Sequence, residues 1–195
     1  MQDYVINGVG VGHSPDTFTR SQNYQDFFAR IGSGSENIHR IKNFITEDEA
    51  KALVKLTETT SPEPDPDQWD GMIWYNEETR RVLSVYRPKV MECFKNLFGI
   101  DCKFYGGAYL VKWTESKQMD LHVDDLGDGN NHVSAVLYLN DDYEGGNINF
   151  PTHNLSIKPE KYELLVFPGN LNYAHEVQEI VSGSRFTVPY WAEIV

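Results

Sequence analysis

The stretch Val133-Ser-Ala-Val-Leu-Tyr-Leu-Asn-Asp-Asp-Tyr-Glu-Gly-Gly-Asn-Ile-Asn-Phe150 carries the pattern on which the fold turns. Two runs of aliphatic, β-branched and aromatic residues, 132–139 and 146–150, are split by Asn, Asp and Gly. Short apolar runs bounded by turn residues are strands rather than helices. The same punctuation continues on both sides. From Lys103 onward the runs fall at 103–113, 118–124, 132–139, 146–150, 154–157, 162–167, 173–179 and 184–193. Seven or eight short strands without intervening helices predict a sandwich, jelly roll or barrel.

Upstream the periodicity changes. Ile38 to Phe44 alternates and predicts a strand. Thr46 with Glu49 forms a Thr-x-x-Glu capping box, which opens a helix. Ala50, Leu53, Val54 and Leu56 follow at helical spacing. Ser61-Pro-Glu-Pro-Asp-Pro-Asp67 ends that helix, because proline cannot continue it. Trp69 to Tyr75 is an aromatic loop or short strand. A second helix is expected from about Asn76 to Phe98, with Val82, Leu83, Val85, Tyr86, Val90, Phe94 and Leu97 as its apolar stripe. Pro88 should kink it, and Gly99 should stop it. Residues 1–37, punctuated by Gly8, Gly10, Gly12 and Gly32-Ser-Gly-Ser35, are expected to be an arm with a short helix around Tyr24 to Ile31. The Gly8-x-Gly10-x-Gly12 pattern has no strand-turn-helix context and is no nucleotide fingerprint.

The chain has 195 residues, which is one domain with some extra length. Its 17 Lys and Arg against 29 Asp and Glu leave a formal net charge of -12. That balance argues against nucleic acid, whose phosphates need Lys and Arg, and against an anionic membrane surface. Aromatic residues make up 13%, which favours a packed core over disorder. Cys93 and Cys102 form no Cys-x-x-Cys and no disulfide framework. The start lacks a basic and an apolar leader region, and no apolar run approaches membrane-spanning length. A cytoplasmic location is the expectation; the oligomeric state is left open.

Chemistry gathers at a few positions. In His122-Val123-Asp124, residues two apart on a strand share a face, so a His and a carboxylate can grip one metal ion. With 6 His and 14 Asp in the chain, such a match arises by chance roughly 0.4 times, so it needs a third ligand. His175 begins a late strand in Asn172-Tyr-Ala-His175. Two His and one carboxylate make the facial triad of non-heme Fe(II) oxygenases. Ten residues on, Arg185 sits among Phe186, Val188, Pro189, Tyr190 and Trp191. A buried guanidinium needs an anion, which it can hold bidentately. Thr187, on the same strand face, can donate a second hydrogen bond. The alternative is an internal salt bridge to Asp or Glu. His13, His39, His132 and His153 lie outside this pattern.

The stretch from about Lys103 to Glu193 resembles the double-stranded β-helix core of the Fe(II)- and 2-oxoglutarate-dependent dioxygenases, most of all the prolyl 4-hydroxylase-like branch. The likeness is an ordered set. His122-x-Asp124 is followed by Val133 to Asn140, ending in Tyr-Leu-Asn, and by Glu144-Gly-Gly-Asn-Ile-Asn-Phe-Pro151. Ile157-Lys-Pro159, Leu165-Val-Phe167, His175, Gly183-x-Arg185 and Trp191 complete it. The chain departs from the family in three places. Where the family has a Tyr about nine residues before the first ligand, this chain has Trp113, and Tyr109 is placed to take that role. Met119-Asp-Leu121 replaces a Gly and Pro before the first ligand. Leu137 stands where some members carry a Tyr.

The resemblance implies a mainly β protein with N-terminal helices (α+β) and a jelly-roll, cupin-like core. It divides the chain into an arm over 1–37 and one dioxygenase domain over 38–195, with helical support over 38–100 and the core over 101–195. It implies Fe(II) on His122, Asp124 and His175, with 2-oxoglutarate held by Arg185, Thr187, Tyr109 and Trp113. O2 is the co-reactant and ascorbate a candidate reductant. The implied reaction is hydroxylation of an unactivated C–H bond, best matched by a prolyl residue in a peptide or protein, with release of succinate and carbon dioxide. Trp69, Trp74, Tyr75, Asp125 and Trp191 are candidates for the substrate surface. The negative charge favours a neutral or basic peptide. The alternatives are a free amino acid or other small substrate, and a non-catalytic jelly-roll module that binds a metal or ligand.

Overall fold

A computed structural model describes residues 5–6, 9–10, 22–62, 71–104, 108–124 and 132–195. In chain order the strands are β1 Val5–Ile6, β2 Val9–Gly10, β3 His39–Ile41, β4 Met72–Trp74, β5 Cys102–Phe104, β6 Leu110–Trp113, β7 Met119–His122 and β8 Val133–Tyr138. They continue as β9 Glu144–Gly145, β10 Ile148–Phe150, β11 Leu155–Ile157, β12 Leu164–Pro168, β13 His175–Val177, β14 Ile180–Ser182 and β15 Arg185–Ile194. The helices are α1 Gln22–Ile31, α2 Glu47–Thr59, α3 Glu77–Ser84 and α4 Arg87–Phe98.

The strands form a jelly roll of two antiparallel sheets. The larger has seven strands in the order β3-β12-β8-β15-β6-β4, with β5 also pairing β15. The smaller has the order β11-β10-β13-β7, and β9 pairs β14 alongside. The eight expected runs are all present, but 103–113 is two strands that pair successive parts of β15. The sequence reading did not anticipate the β9–β14 pair.

Period-two alternation gives the large sheet two different faces. Val133, Ala135 and Leu137 of β8, Leu164 and Val166 of β12, and Val188, Tyr190 and Ala192 of β15 pack in one core with the helices. The intervening residues, among them Tyr138, Leu165 and Phe167, point into the interior with Ile148, Phe150 and Ile157 of the small sheet. A third cluster of Val111, Trp113, Tyr143 and Ile180 fills the rest of that interior. Helices therefore brace one side of the large sheet and leave its other side to the site.

Local signals explain the helices. The Thr46 hydroxyl accepts from the Glu49 N–H and the Glu49 side chain accepts from the Thr46 N–H, the reciprocal box expected. The single helix expected from Asn76 to Phe98 is instead two. Val85 and Tyr86 keep helical dihedrals but bond back only three residues, to Val82 and Leu83. Pro88 lacks an N–H and would clash with the preceding turn, so it begins α4 rather than kinking one long helix. Gly99 ends α4 at φ 62°. The helix within the expected arm is packed rather than free: Phe27 is buried against Phe98, and the Arg30 guanidinium donates to the Phe98 carbonyl at 2.6 Å. None of the described helices is long and apolar enough to cross a membrane.

Leu83 is fully buried under the large sheet, whereas Val85, two residues on, is 72% exposed. Leu83→Ala should lower the unfolding free energy by about 2–5 kcal/mol. Val85→Ala should change it by less than about 0.5 kcal/mol in the same urea titration.

Candidate metal and cosubstrate site

His122 ends β7 and His175 begins β13, and the two are direct register partners across the small sheet. Their rings therefore stand side by side in the interior, centroids 4.3 Å apart. Asp124 follows β7 by two residues and turns its carboxylate toward both. Its oxygens lie 3.7 Å from His122 Nε2 and 4.0 Å from His175 Nε2. One ligand atom from each of the three lies within 4.8 Å of the others, and among the described residues they are the one group of three or more that could hold a metal ion.

Backbone carbonyls orient both imidazoles. His122 Nδ1 is 2.8 Å from the Asp120 carbonyl and His175 Nδ1 is 3.1 Å from the Tyr173 carbonyl. A carbonyl can only accept, so Nδ1 carries the proton and Nε2 presents its lone pair inward. The His175 pKa is pushed down to about 4, first by burial and then by His122 beside it, with Asp124 pulling it up. Its ring is thus neutral at physiological pH, as a metal ligand must be. Two imidazole nitrogens and a carboxylate suit Fe(II), so the donors present fit that ion.

Arg185 begins β15 on the inner face, paired with Trp113 of β6. It is 2% exposed. Its guanidinium lies over the rings of Tyr138, at 5.0 Å, and Trp113, at 5.7 Å. It donates a long hydrogen bond, 3.4 Å, to the Tyr138 hydroxyl, and among the described residues Arg185 Nε is buried with no partner. No carboxylate of the described residues forms an ion pair with it, so the internal salt bridge weighed above is not made. An arginine held dry without an anion fits a carboxylate-bearing cosubstrate. Thr187 shares the inner face two residues along and is buried.

The sequence pattern puts Leu137 at the position of the family's tyrosine, so Tyr138 is not among the residues expected at the site. Alternation along β8 sends Leu137 into the helix-side core and Tyr138 inward. The pattern Val133, Ala135, Leu137 held that signal. Tyr143 was also missed. It follows the Asn140-Asp-Asp142 turn, and Lys158 covers its ring at 3.7 Å.

The other candidates divide. Tyr109 stacks on Tyr75 at 4.5 Å and on Trp191 at 5.8 Å, with the Arg80 guanidinium 5.0 Å over Tyr75. All three rings are half-buried. They lie toward the other end of β15 from Arg185, about 20 Å along the strand at roughly 3.3 Å per residue. Trp74 does not join them. It is 3% exposed in the helix-side core, its indole donating to the Thr60 carbonyl at 3.0 Å, and offers no surface to a substrate. Trp69, Asp125 and His13 lie outside the described residues. His39 packs on Phe98, His132 Nδ1 accepts from the Ile194 N–H, and His153 packs on Tyr173, all away from the triad.

With this geometry in place, comparison with known proteins is decisive for the β core. Residues 108–193 match the 2OG-Fe(II) oxygenase superfamily. They belong to it. The cofactors of that family are Fe(II), 2-oxoglutarate and O2. No curated protein matches the chain. Among solved structures, the 2-oxoglutarate complex of a collagen prolyl hydroxylase from Paramecium Bursaria Chlorella virus-1 is similar at 18% identity and TM-score 0.70, over 83% of this chain and 98% of that one. A Trichoplax adhaerens prolyl hydroxylase in complex with a hypoxia inducible factor peptide is similar at 16% identity and TM-score 0.66, over 88% and 90%. A Pseudomonas putida prolyl-4-hydroxylase is similar at 18% identity and TM-score 0.64, over 86% and 95%. At these identities the likeness is one of fold.

Two outcomes test the site as built. Because the folded-state pKa of His175 lies below the ordinary 6.5, the unfolded chain binds more protons between those values. The metal-free protein should lose stability as pH falls from about 6.5 to about 4, and His175→Gln should flatten that part of a urea-midpoint profile. Gly146 adopts φ 64°, and a Cβ there would meet Ile180 Cδ1 at 2.5 Å, Tyr143 Cε2 at 3.0 Å and Arg185 Cδ at 3.3 Å. At Gly32 the φ is 71° but nothing lies within 4 Å. Gly32→Ala should cost about 1–2 kcal/mol, the left-handed penalty alone. Gly146→Ala should cost measurably more in the same assay.

Proposed function

We propose that the chain is an Fe(II)- and 2-oxoglutarate-dependent dioxygenase that hydroxylates a prolyl residue in a peptide or protein. The observation that carries this reading is the sharing of one interior by a His-Asp-His group and a dry arginine with no internal anion. His122, Asp124 and His175 would hold the iron, with Nδ1 of each histidine fixed by a backbone carbonyl. Arg185, with Tyr138 and Thr187, would hold the far carboxylate of 2-oxoglutarate, and Trp113 would floor that pocket. When bound, the iron and 2-oxoglutarate supply the oxygen chemistry, giving succinate, carbon dioxide and one oxygen atom for the substrate.

The protein's own work is positioning and exclusion of water. Phe150 and Phe167 press on the His175 ring at 5.5 and 4.7 Å, keeping that side of the ligand dry. The half-buried Tyr75, Tyr109 and Trp191 form an apolar, aromatic platform of the kind on which a proline ring stacks. A peptide substrate is supported by the prolyl hydroxylases of like fold, one of which is described with a peptide bound. The net charge of -12 favours a neutral or basic peptide through long-range attraction.

The test is incubation with Fe(II), 2-oxoglutarate, O2 and proline-rich peptides. Succinate should form in step with a peptide that gains one oxygen on proline, read by fragment mass spectrometry. His175→Ala should abolish both, and Arg185→Gln should raise the 2-oxoglutarate KM by roughly 100-fold, as loss of a charge-assisted pair does. Basic peptides should outpace acidic ones, with the gap closing as salt is added. Succinate formation with a free amino acid and with no peptide would move the substrate to a small molecule. Absence of succinate with every substrate, together with no Fe(II) binding, would leave a non-catalytic module.

A further inference from the structure

At the Arg185 end of the interior two buried polar groups lack hydrogen-bond partners: Arg185 Nε and the Tyr143 hydroxyl. They are neighbours. A Cβ at Gly146 would touch both the Tyr143 ring and the Arg185 side chain, so the two pack on one glycine that leaves them room. Tyr143 is 5% exposed. Burial pushes its pKa up to about 12, while the Arg185 guanidinium pulls the other way. The phenol therefore stays protonated and can donate, yet among the described residues nothing accepts from it.

The surroundings hold this ring firmly. Lys158 Nζ sits 3.7 Å over its face and donates to the Tyr143 and Gly145 carbonyls at 3.0 and 2.7 Å. Lys158 and Arg185 thus both lie near one phenol, close enough that Arg185 helps push the Lys158 pKa down, after burial. The buried Arg185 cation and an unspent phenol donor beside it, with the exposed Lys158 ammonium on the ring, suit an anion with several acceptor oxygens. A carboxylate has two oxygens and about four acceptor positions, more than a guanidinium and the Tyr138 hydroxyl need fill.

We propose that Tyr143 is a second anchoring residue of the cosubstrate site, donating its phenolic hydrogen to the far carboxylate of 2-oxoglutarate beside Arg185 and Tyr138. This rests on the 2-oxoglutarate reading above and adds a residue that the motif pattern does not contain. It also gives the Lys158 ammonium a purpose: a cation over the ring face withdraws electron density and makes the phenol a stronger donor. The role is one of binding, confined to the end of the cosubstrate far from the metal group.

Tyr143→Phe removes the hydroxyl and keeps the ring, the Lys158 contact and the Gly146 packing. The measurement is anaerobic titration calorimetry of the Fe(II)-loaded full chain with 2-oxoglutarate and with 2-oxopentanoate. The latter keeps the keto-acid head but carries a methyl group in place of the far carboxylate. The variant should bind 2-oxoglutarate about tenfold more weakly, in line with loss of a hydrogen bond to a charged group. Its affinity for 2-oxopentanoate should equal that of the unaltered chain, which also shows that the variant is folded and loads metal. Unchanged affinity for 2-oxoglutarate would overturn the proposal, and so would an equal loss for both ligands. If the unaltered chain binds 2-oxoglutarate no better than 2-oxopentanoate, the anchor at Arg185 fails and the dioxygenase reading fails with it. That result is separate from a chain that binds normally and ignores the Tyr143 change.

Discussion

Arg185 lies 2% exposed on the inner face of β15, over the rings of Tyr138 and Trp113, and no carboxylate of the described residues reaches it. Holding a guanidinium out of water without a counter-ion is expensive, and a fold keeps such an arrangement only when the rest of the structure over-determines it. Here the restraint is visible. β15 is the longest of the described strands; Arg185 at its start pairs with Trp113 of β6, and from Thr187 the strand is paired on its other side by β8 as well, which restrains the Arg185 backbone. Aromatic faces soften the cost through cation–π attraction.

That constraint organises the neighbouring elements. The β9–β14 pair and the tight glycines at 145, 146 and 183 bring the 140–146 turn close over the guanidinium. Asn140 stitches the same turn to β15, donating to the Ser184 carbonyl and accepting from the Phe186 N–H. The small sheet then places His122 and His175 as paired residues, so the two histidines of the candidate metal group sit on rigid strands rather than on a loop. Helices α1 to α4 contribute no residue to the metal group. They cover the outer face of the large sheet with Leu53, Leu83, Val90 and Phe94, which frees the inner face for polar chemistry.

Much of this was legible in the sequence, because it depends on local patterns. The capping box at Thr46, the helix stop at Gly99 and the strand runs from Lys103 follow from propensity and turn chemistry. The spacing of His122, Asp124, His175 and Arg185 identified chemistry because few other patterns need those residue types in that order. Other features were not legible. Trp74 looked like an exposed aromatic, but β4 pairs with β6 in a register that turns it to the helices. The single long helix over 76–98 broke at 85–86 because the proline cost falls on the turn before it. Tyr138 was hidden by a shift of one residue, and on a strand one residue is the difference between core and site.

By itself, the sequence determined the element types, the jelly-roll class, the ordered set of candidate ligands and the arginine among apolar neighbours, since each is set by residues near one another in the chain or by a rare residue combination. Only the tertiary structure decided which face each side chain occupies, that Tyr138 and Tyr143 close on Arg185, that Trp74 leaves the aromatic platform, and that no internal carboxylate neutralises the guanidinium. Those outcomes depend on inter-strand register and on contacts between segments as far apart as residues 113, 138, 143 and 185. A register is fixed by the summed packing of both faces of a sheet, and no single segment contains that sum.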